Sequence, residues 1–220
     1  MEIIPVINCN DLRCVEERMN IIRLLNAPWA QIDVADGIFA PVKMWNGKAS
    51  PQEVDKSWAG NLKKIFSSFS EINIEAHLMV MRPFDILDDW ISLGVKRIII
   101  HAETATPEEA RKAKEKIQLG IALLPETFAD TFDIFSNVSN FVQVLAVHQG
   151  FSGQTFEEPM IEKIKILRKK YKNIDIEVDG GVTPFVLDEI KRAGANIATA
   201  GSFIFDSRNP LQSYKELCKV

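Results

Sequence analysis

The chain has 220 residues, with 30 acidic and 26 basic side chains and a formal net charge of −4. A single (β/α)8 barrel fills that length, so one domain spanning residues 1–220 is expected. The charges are interspersed and leave no basic face to track a phosphate backbone, which argues against nucleic acid as a partner. No apolar run approaches the ~20 residues of a membrane span, and the start MEIIPVINCNDL lacks a basic segment followed by a long apolar one, so a cytoplasmic protein with no membrane partner is expected. Cys9, Cys14 and Cys218 are odd in number and lack metal-type spacing, which reads as reduced packing thiols.

Eight short apolar runs follow one another along the chain: IIPVI (3–7), WAQIDVA (29–35), INIEAHLMV (72–80), KRIIIHAE (96–103), LGIALLP (119–125), FVQVLAVH (141–148), DIEVDG (175–180) and NIATAG (196–201). Amphipathic segments such as DDWISLG, TPEEARKAKEKI, EEPMIEKIKILRKKY and TPFVLDEIKRAG lie between them. This alternation is the pattern of βα units around a parallel sheet. Thr106 and Thr183 each precede a proline as N-cap and first helical residue, and Gly94 and Gly194 stand where helices should end. Eight strands followed by eight helices predict a single-domain (β/α)8 TIM barrel. Its longest connection, DGIFAPVKMWNGKASPQ after the second strand, is the expected functional loop.

In such a barrel the chemistry sits where strands end, and the polar residues there are Asp33, His77, His101, Glu103, His148 and Asp179. Strand alternation puts Gln31 with Asp33, Glu75 with His77, and Glu177 with Asp179 on shared faces. Parity alone leaves open which face is inward. A charge buried in the barrel mouth is costly unless it is paired or bound to metal. Asp33, His77 and Asp179 together therefore make a candidate site for a divalent cation, since carboxylate oxygen and imidazole nitrogen suit Zn²⁺, Mn²⁺ or Fe²⁺.

Glycine marks a second constellation: GFSGQTF after the sixth strand, DGGVTP after the seventh and AGSFIF after the eighth, each opening toward a helix. Backbone N–H groups in such turns, reinforced by helix termini, form phosphate cradles, so Gly150, Ser152, Gly153, Gly180, Gly181, Gly201 and Ser202 are the expected phosphate-binding residues. The expected ligand is a small phosphorylated molecule lying from this cradle to Asp33, His77 and Asp179.

The motifs IDVADGIFAP, AHLMVMRP, IIIHAET, VHQGFSGQTFEEPMIEKI, IEVDGGVTP and AGANIATAGSFIF, in this order and over almost the whole chain, resemble the ribulose-phosphate 3-epimerase family. The resemblance implies C3 epimerisation of a ketose phosphate, D-ribulose 5-phosphate to D-xylulose 5-phosphate. It implies Asp33 and Asp179 as acid and base on opposite faces of the substrate. Those aspartates would ligate a divalent ion (Zn, Mn, Fe or Mg) with His77, and Gln31 stands where the family has a second histidine, as a weak or absent ligand. His101 lies in a shared HAE segment and is read mainly as a core polar residue. Homo-oligomerisation is also implied.

Several positions depart from the family pattern. Val6 replaces a serine, Ile38–Val42 replace His-Phe-Val-Pro-Asn, His148-Gln149 replace Glu-Pro, and Ser152 replaces a glycine. Of three methionines around the metal site Met79 remains, with Ala35 and Leu145 in place of the others, so Val6, Met79 and His148 are the expected substrate-side residues. Three readings follow: an epimerase for ribulose 5-phosphate with an altered metal site, one for another ketose phosphate such as allulose 6-phosphate, and a catalytically silent phosphosugar-binding protein.

Overall fold

The computed structural model describes residues 1–42, 44, 56–149 and 153–219. Strands β1 (Glu2–Ile7), β2 (Trp29–Ala35), β3 (Asn73–Met79), β4 (Arg97–His101), β5 (Gln118–Leu123), β6 (Phe141–Leu145), β7 (Asp175–Asp179) and β8 (Ile197–Ala200) pair in sequence order, and β8 closes on β1. All pairings are parallel, the (β/α)8 barrel expected. The strands are buried on both faces, which is why they read as nearly continuous apolar runs. Most of the core lies between the barrel and its helices. A separate cluster of Ile4, Ile99, Ala122, Phe141 and Ile197, with Trp29 against it, comes from five different strands.

Helices cover Leu12–Leu25, Lys56–Ser68, Pro83–Ser92, Pro107–Lys114, Met160–Lys170, Pro184–Ala193, Ser202–Phe205 and Pro210–Cys218. Thr106 closes a full capping box with Glu109, the arrangement its Thr-Pro sequence signals. Thr183 is also an N-cap, but its side chain makes no capping hydrogen bond. Gly194 ends its helix in the left-handed conformation, φ 115°.

The sequence reading needs correction at three places. Following β5 is a 3₁₀ segment, Ala129–Phe135, in place of an α-helix. Its buried residues Ala129, Phe132 and Phe135 recur every third position, which three residues per turn stack on one face. Strands β4 and β6 end at His101 and Leu145, earlier than expected, and Ala102–Thr104 form a 3₁₀ turn. Cys9 and Cys14, expected as reduced thiols, are joined by a disulfide between the end of β1 and the first helix, whereas Cys218 is free and exposed. Their Cα atoms are 5.7 Å apart, within the usual range for a bridge. Among the described residues no helix is long and apolar enough to cross a membrane.

Candidate active site

Register settles the question that parity left open. Strand β2 sets Gln31 beside Glu75 and Asp33 beside His77, and β6 sets Gln143 beside Glu177 and Leu145 beside Asp179. Side chains from β2, β3 and β7 converge inside the barrel, where one ligand atom each from Asp33, His77 and Asp179 lie within 4.8 Å of one another. His77 Nδ1 stands 3.4 Å from Asp33 Oδ1 and 3.3 Å from Asp179 Oδ2, fully buried and without a directed hydrogen bond. Donors bound to one cation at ~2.1 Å in a tetrahedral arrangement are separated by roughly 3.4 Å. The buried, unmatched nitrogen and its spacing from both carboxylates therefore fit a divalent cation.

The other edge of His77 is held by its neighbour. His77 Nε2 lies 2.9 Å from His101 Nε2, and His101 Nδ1 faces Glu103 Oε2 at 3.4 Å. For His77 Nδ1 to keep a lone pair for a cation, Nε2–H must donate to His101, whose remaining N–H then points at Glu103. A carboxylate–imidazole chain of this kind can orient a histidine so that its other nitrogen is available to a metal. Glu103 is itself fixed by the amide of Leu124 at 3.1 Å and by the Thr127 hydroxyl. His101, read from the sequence as a core polar residue, is thus both buried and in contact with the site. Phe39, from the loop after β2, packs its ring 4.7 Å from that of His101. Asp36 shapes the start of this loop by accepting from the amides of Ile38, Phe39 and Met81.

Gln31 takes part as a donor. Its Nε2 donates to Asp33 Oδ1 at 2.9 Å and to Asp179 Oδ2 at 3.0 Å, the two oxygens that His77 Nδ1 faces. Asp179 also accepts from the Thr199 hydroxyl at 2.6 Å. The two aspartates consequently differ. Burial pushes both up; the nearby His77 imidazole together with hydrogen bonds from Thr199 and Gln31 outweighs it at Asp179 and holds that carboxyl below the usual range, while at Asp33 burial wins. Burial opposes charge on His77, yet the flanking carboxylates overcome it and raise the imidazole to about 9. Burial, with the charge of His77 adding to it, pushes His101 down to about 4 against the pull of Glu103.

One cleft joins this cluster to the glycine loops. It is lined by Asp33 and Asp179, by Val6, Met79 and His148, and by Gly153, Gly180, Gly181, Gly201 and Ser202. Gly180 and Gly181 have φ of 104° and 66°, and a Cβ on Gly181 would lie 2.3 Å from the Phe156 backbone nitrogen, so only glycine suits this turn. Helix termini lie less close than the sequence implies: the helix after Gly201 is the single turn Ser202–Phe205, and the helix that follows Gly153 starts only at Met160, although Pro184 begins a helix soon after Gly181. Gly150 and Ser152 lie outside the described residues, as does most of the loop after β2. His148 is exposed and bonded to Glu126, 2.8 Å from Nδ1, so it borders the cleft without entering the buried cluster.

The sequence reading missed Gln143 and Thr199. Each is a lone polar residue in an apolar strand; Gln143 pairs with Glu177 across β6 and β7 and Thr199 hydrogen-bonds Asp179 across β7 and β8, and that alignment is the missing signal.

Fold and site together define a parallel (β/α)8 barrel with two acidic groups and an imidazole converging beside a cleft lined by glycine-rich loops. The family model described as the ribulose-phosphate 3 epimerase family matches residues 2–205, and the chain belongs to that family. It is 33% identical over 194 residues to the ribulose-phosphate 3-epimerase, cytoplasmic isoform, of Oryza sativa subsp. japonica, covering 84% of this chain and 79% of that protein. It is 28% identical over 212 residues to the ribulose-phosphate 3-epimerase of Schizosaccharomyces pombe, covering 95% and 89%. Solved structures share the fold at lower identity. Crystalline 3-hexulose-6-phosphate synthase matches with TM-score 0.71 and 15% identity, covering 99% of this chain and 98% of that one. KGPDC from Streptococcus mutans in complex with D-R5P matches with TM-score 0.72 and 12% identity, covering 99% and 95%.

Proposed function

We propose that the chain, as one barrel domain over residues 1–220, epimerises C3 of D-ribulose 5-phosphate to give D-xylulose 5-phosphate. The observation that carries this reading is the single cleft in which Asp33 and Asp179 face the same space as Gly180, Gly181, Gly201 and Ser202. A phosphate held by the glycine-loop amides directs the sugar chain toward the two carboxylates. One aspartate removes the C3 proton, and the other returns a proton on the opposite face, which inverts the centre. Their surroundings differ in the sense this division needs, since His77, Thr199 and Gln31 lower Asp179 whereas burial raises Asp33. The roles exchange in the reverse direction.

Asp33, His77 and Asp179 would hold a divalent cation, Mn²⁺, Fe²⁺ or Zn²⁺ by the chemistry of the donors. Bound there, it would supply Lewis-acid stabilisation of the negative charge that develops as the proton leaves. His101 and Glu103 hold His77 in position, and Thr199 orients Asp179.

The test is exchange of solvent deuterium into C3 of ribulose 5-phosphate, with appearance of xylulose 5-phosphate. Unphosphorylated ribulose should react far more slowly because it lacks the anchoring group. Exchange into a hexulose 6-phosphate alone would transfer the activity to another ketose phosphate. Tight binding without exchange into any of these sugars would refute catalysis.

A further inference from the structure

Below the aspartates the two ends of the Gln31 amide meet different partners. Its nitrogen donates to Asp33 and Asp179, and its Oε1 accepts from Gln143 Nε2 at 3.1 Å. Gln143 Nε2 also donates to Glu177 Oε1 at 2.9 Å and makes a longer contact with Asp179 Oδ2 at 3.4 Å. Gln31 and Gln143 are both completely buried, so no bulk water can substitute for a lost partner.

The amide is consequently polarised in one sense. Turning Gln31 over would set its oxygen against two carboxylate oxygens and its NH₂ against the NH₂ of Gln143. Such a turn is unfavourable at both ends while Gln143 stays as it is. Gln143 is itself held by Glu177, whose carboxyl accepts from the same nitrogen. Only the oxygen of an amide can ligate a cation, because the nitrogen has no available lone pair. As oriented, Gln31 therefore offers hydrogens to the two oxygens a cation would use.

We infer that Gln143 is a positioning residue which fixes the Gln31 amide as a donor to Asp33 and Asp179, keeps its oxygen out of the metal site, and so weakens cation binding there. Gln31 competes with the cation in place of serving as its fourth ligand. The consequence for metal rests on reading Asp33, His77 and Asp179 as a cation site; the amide orientation does not.

The orientation is tested on metal-free protein. In ¹H–¹⁵N spectra the Gln31 side-chain NH₂, identified by its loss in Gln31→Met, should show both protons shifted downfield by carboxylate acceptors. Gln143→Met, nearly isosteric and without a donor, should return at least one of them toward the value of free glutamine. Gln143→Leu serves as a second variant, and circular dichroism checks the fold of each. Unchanged Gln31 resonances in both folded variants would overturn the inference.

Mn²⁺ titration by calorimetry then reads the consequence. Gln143→Met should tighten Mn²⁺ binding about tenfold, in the range by which outer-shell partners commonly alter metal sites. In a Gln31→Met background the same change should have a much smaller effect, because only the long contact from Gln143 to Asp179 then remains. An unchanged affinity, or an equal change in both backgrounds, overturns the positioning role. That result is distinct from failure of the metal reading, in which wild type binds no Mn²⁺ that Asp179→Asn abolishes.

Discussion

At the level of Gln31, Glu75, Gln143 and Glu177 the barrel interior is closed to solvent, whereas two residues further along β2 and β7 Asp33 and Asp179 border an open cleft. Both levels carry carboxylates, and they are organised differently. In the closed layer Arg97 donates to Glu75 at 2.7 Å and lies over the Phe141 ring at 3.9 Å, while Gln143 donates to Glu177 at 2.9 Å. Burial, reinforced by the nearby charge of Glu75, pushes Glu177 well above the ordinary carboxyl value. In the open layer two carboxylates share Gln31 and face a nitrogen that has no directed partner. The difference teaches which polar residues hold the barrel and which are available for chemistry: Glu75 and Glu177 each take a donor from within the chain and are shut away from solvent, whereas Asp33 and Asp179 also border a space.

Substitutions should separate the layers. The largest effect is expected in the open layer, where Asp179→Asn keeps the shape but loses the proton acceptor. C3 exchange should fall at least about a thousandfold, ~4 kcal/mol in barrier, with the thermal midpoint maintained or raised. Residual exchange within about tenfold of wild type would remove Asp179 from acid–base chemistry. In the closed layer Arg97→Met strands Glu75 without its cation, which should cost ~3–5 kcal/mol in urea unfolding. A loss below about 1 kcal/mol would show that this layer does not depend on its ion pair.

Between the layers stands Gln31. Gln31→His replaces the amide with an imidazole and should strengthen Mn²⁺ and Zn²⁺ binding by ~10–100-fold in a calorimetric titration. If the histidine variant binds no more tightly than wild type, Asp33, His77 and Asp179 are not a cation site. The smallest effect belongs to Glu103, at the outer end of the imidazole chain. Burial raises its carboxyl, but hydrogen bonds from His101 and Thr127 outweigh this and lower it from the ordinary 4.5. A depressed folded-state value means stabilisation present above the unfolded value and lost as pH falls through the folded one. The thermal midpoint of wild type should therefore exceed that of Glu103→Gln by a constant margin above about pH 5 and converge on it below 4.5. A margin that does not change with pH would assign Glu103 a packing role only.

Much of this molecule is legible along the chain. Strand β2 spans Trp29–Ala35 as its alternation and apolar content indicate, and the three residues whose side chains converge, Asp33, His77 and Asp179, are among those the barrel rule selects. These features are local: side-chain alternation follows from strand geometry, and glycine in the DGG turn follows from positive φ. The 3₁₀ segment after β5 escaped because a helix was assumed for every connection, although its three-residue apolar spacing was present. Sequence could place Gln31 and Asp33 on one face, but not say what that face met. Gln143 lies 112 residues from Gln31 and Asp179 lies 148 away, and closure of the barrel brings them together. Tertiary structure therefore decided that the amide is a donor to two aspartates, and that His101 supports His77. Alternation determines direction along a strand, whereas the polarity of a hydrogen bond depends on which partner waits across the interior.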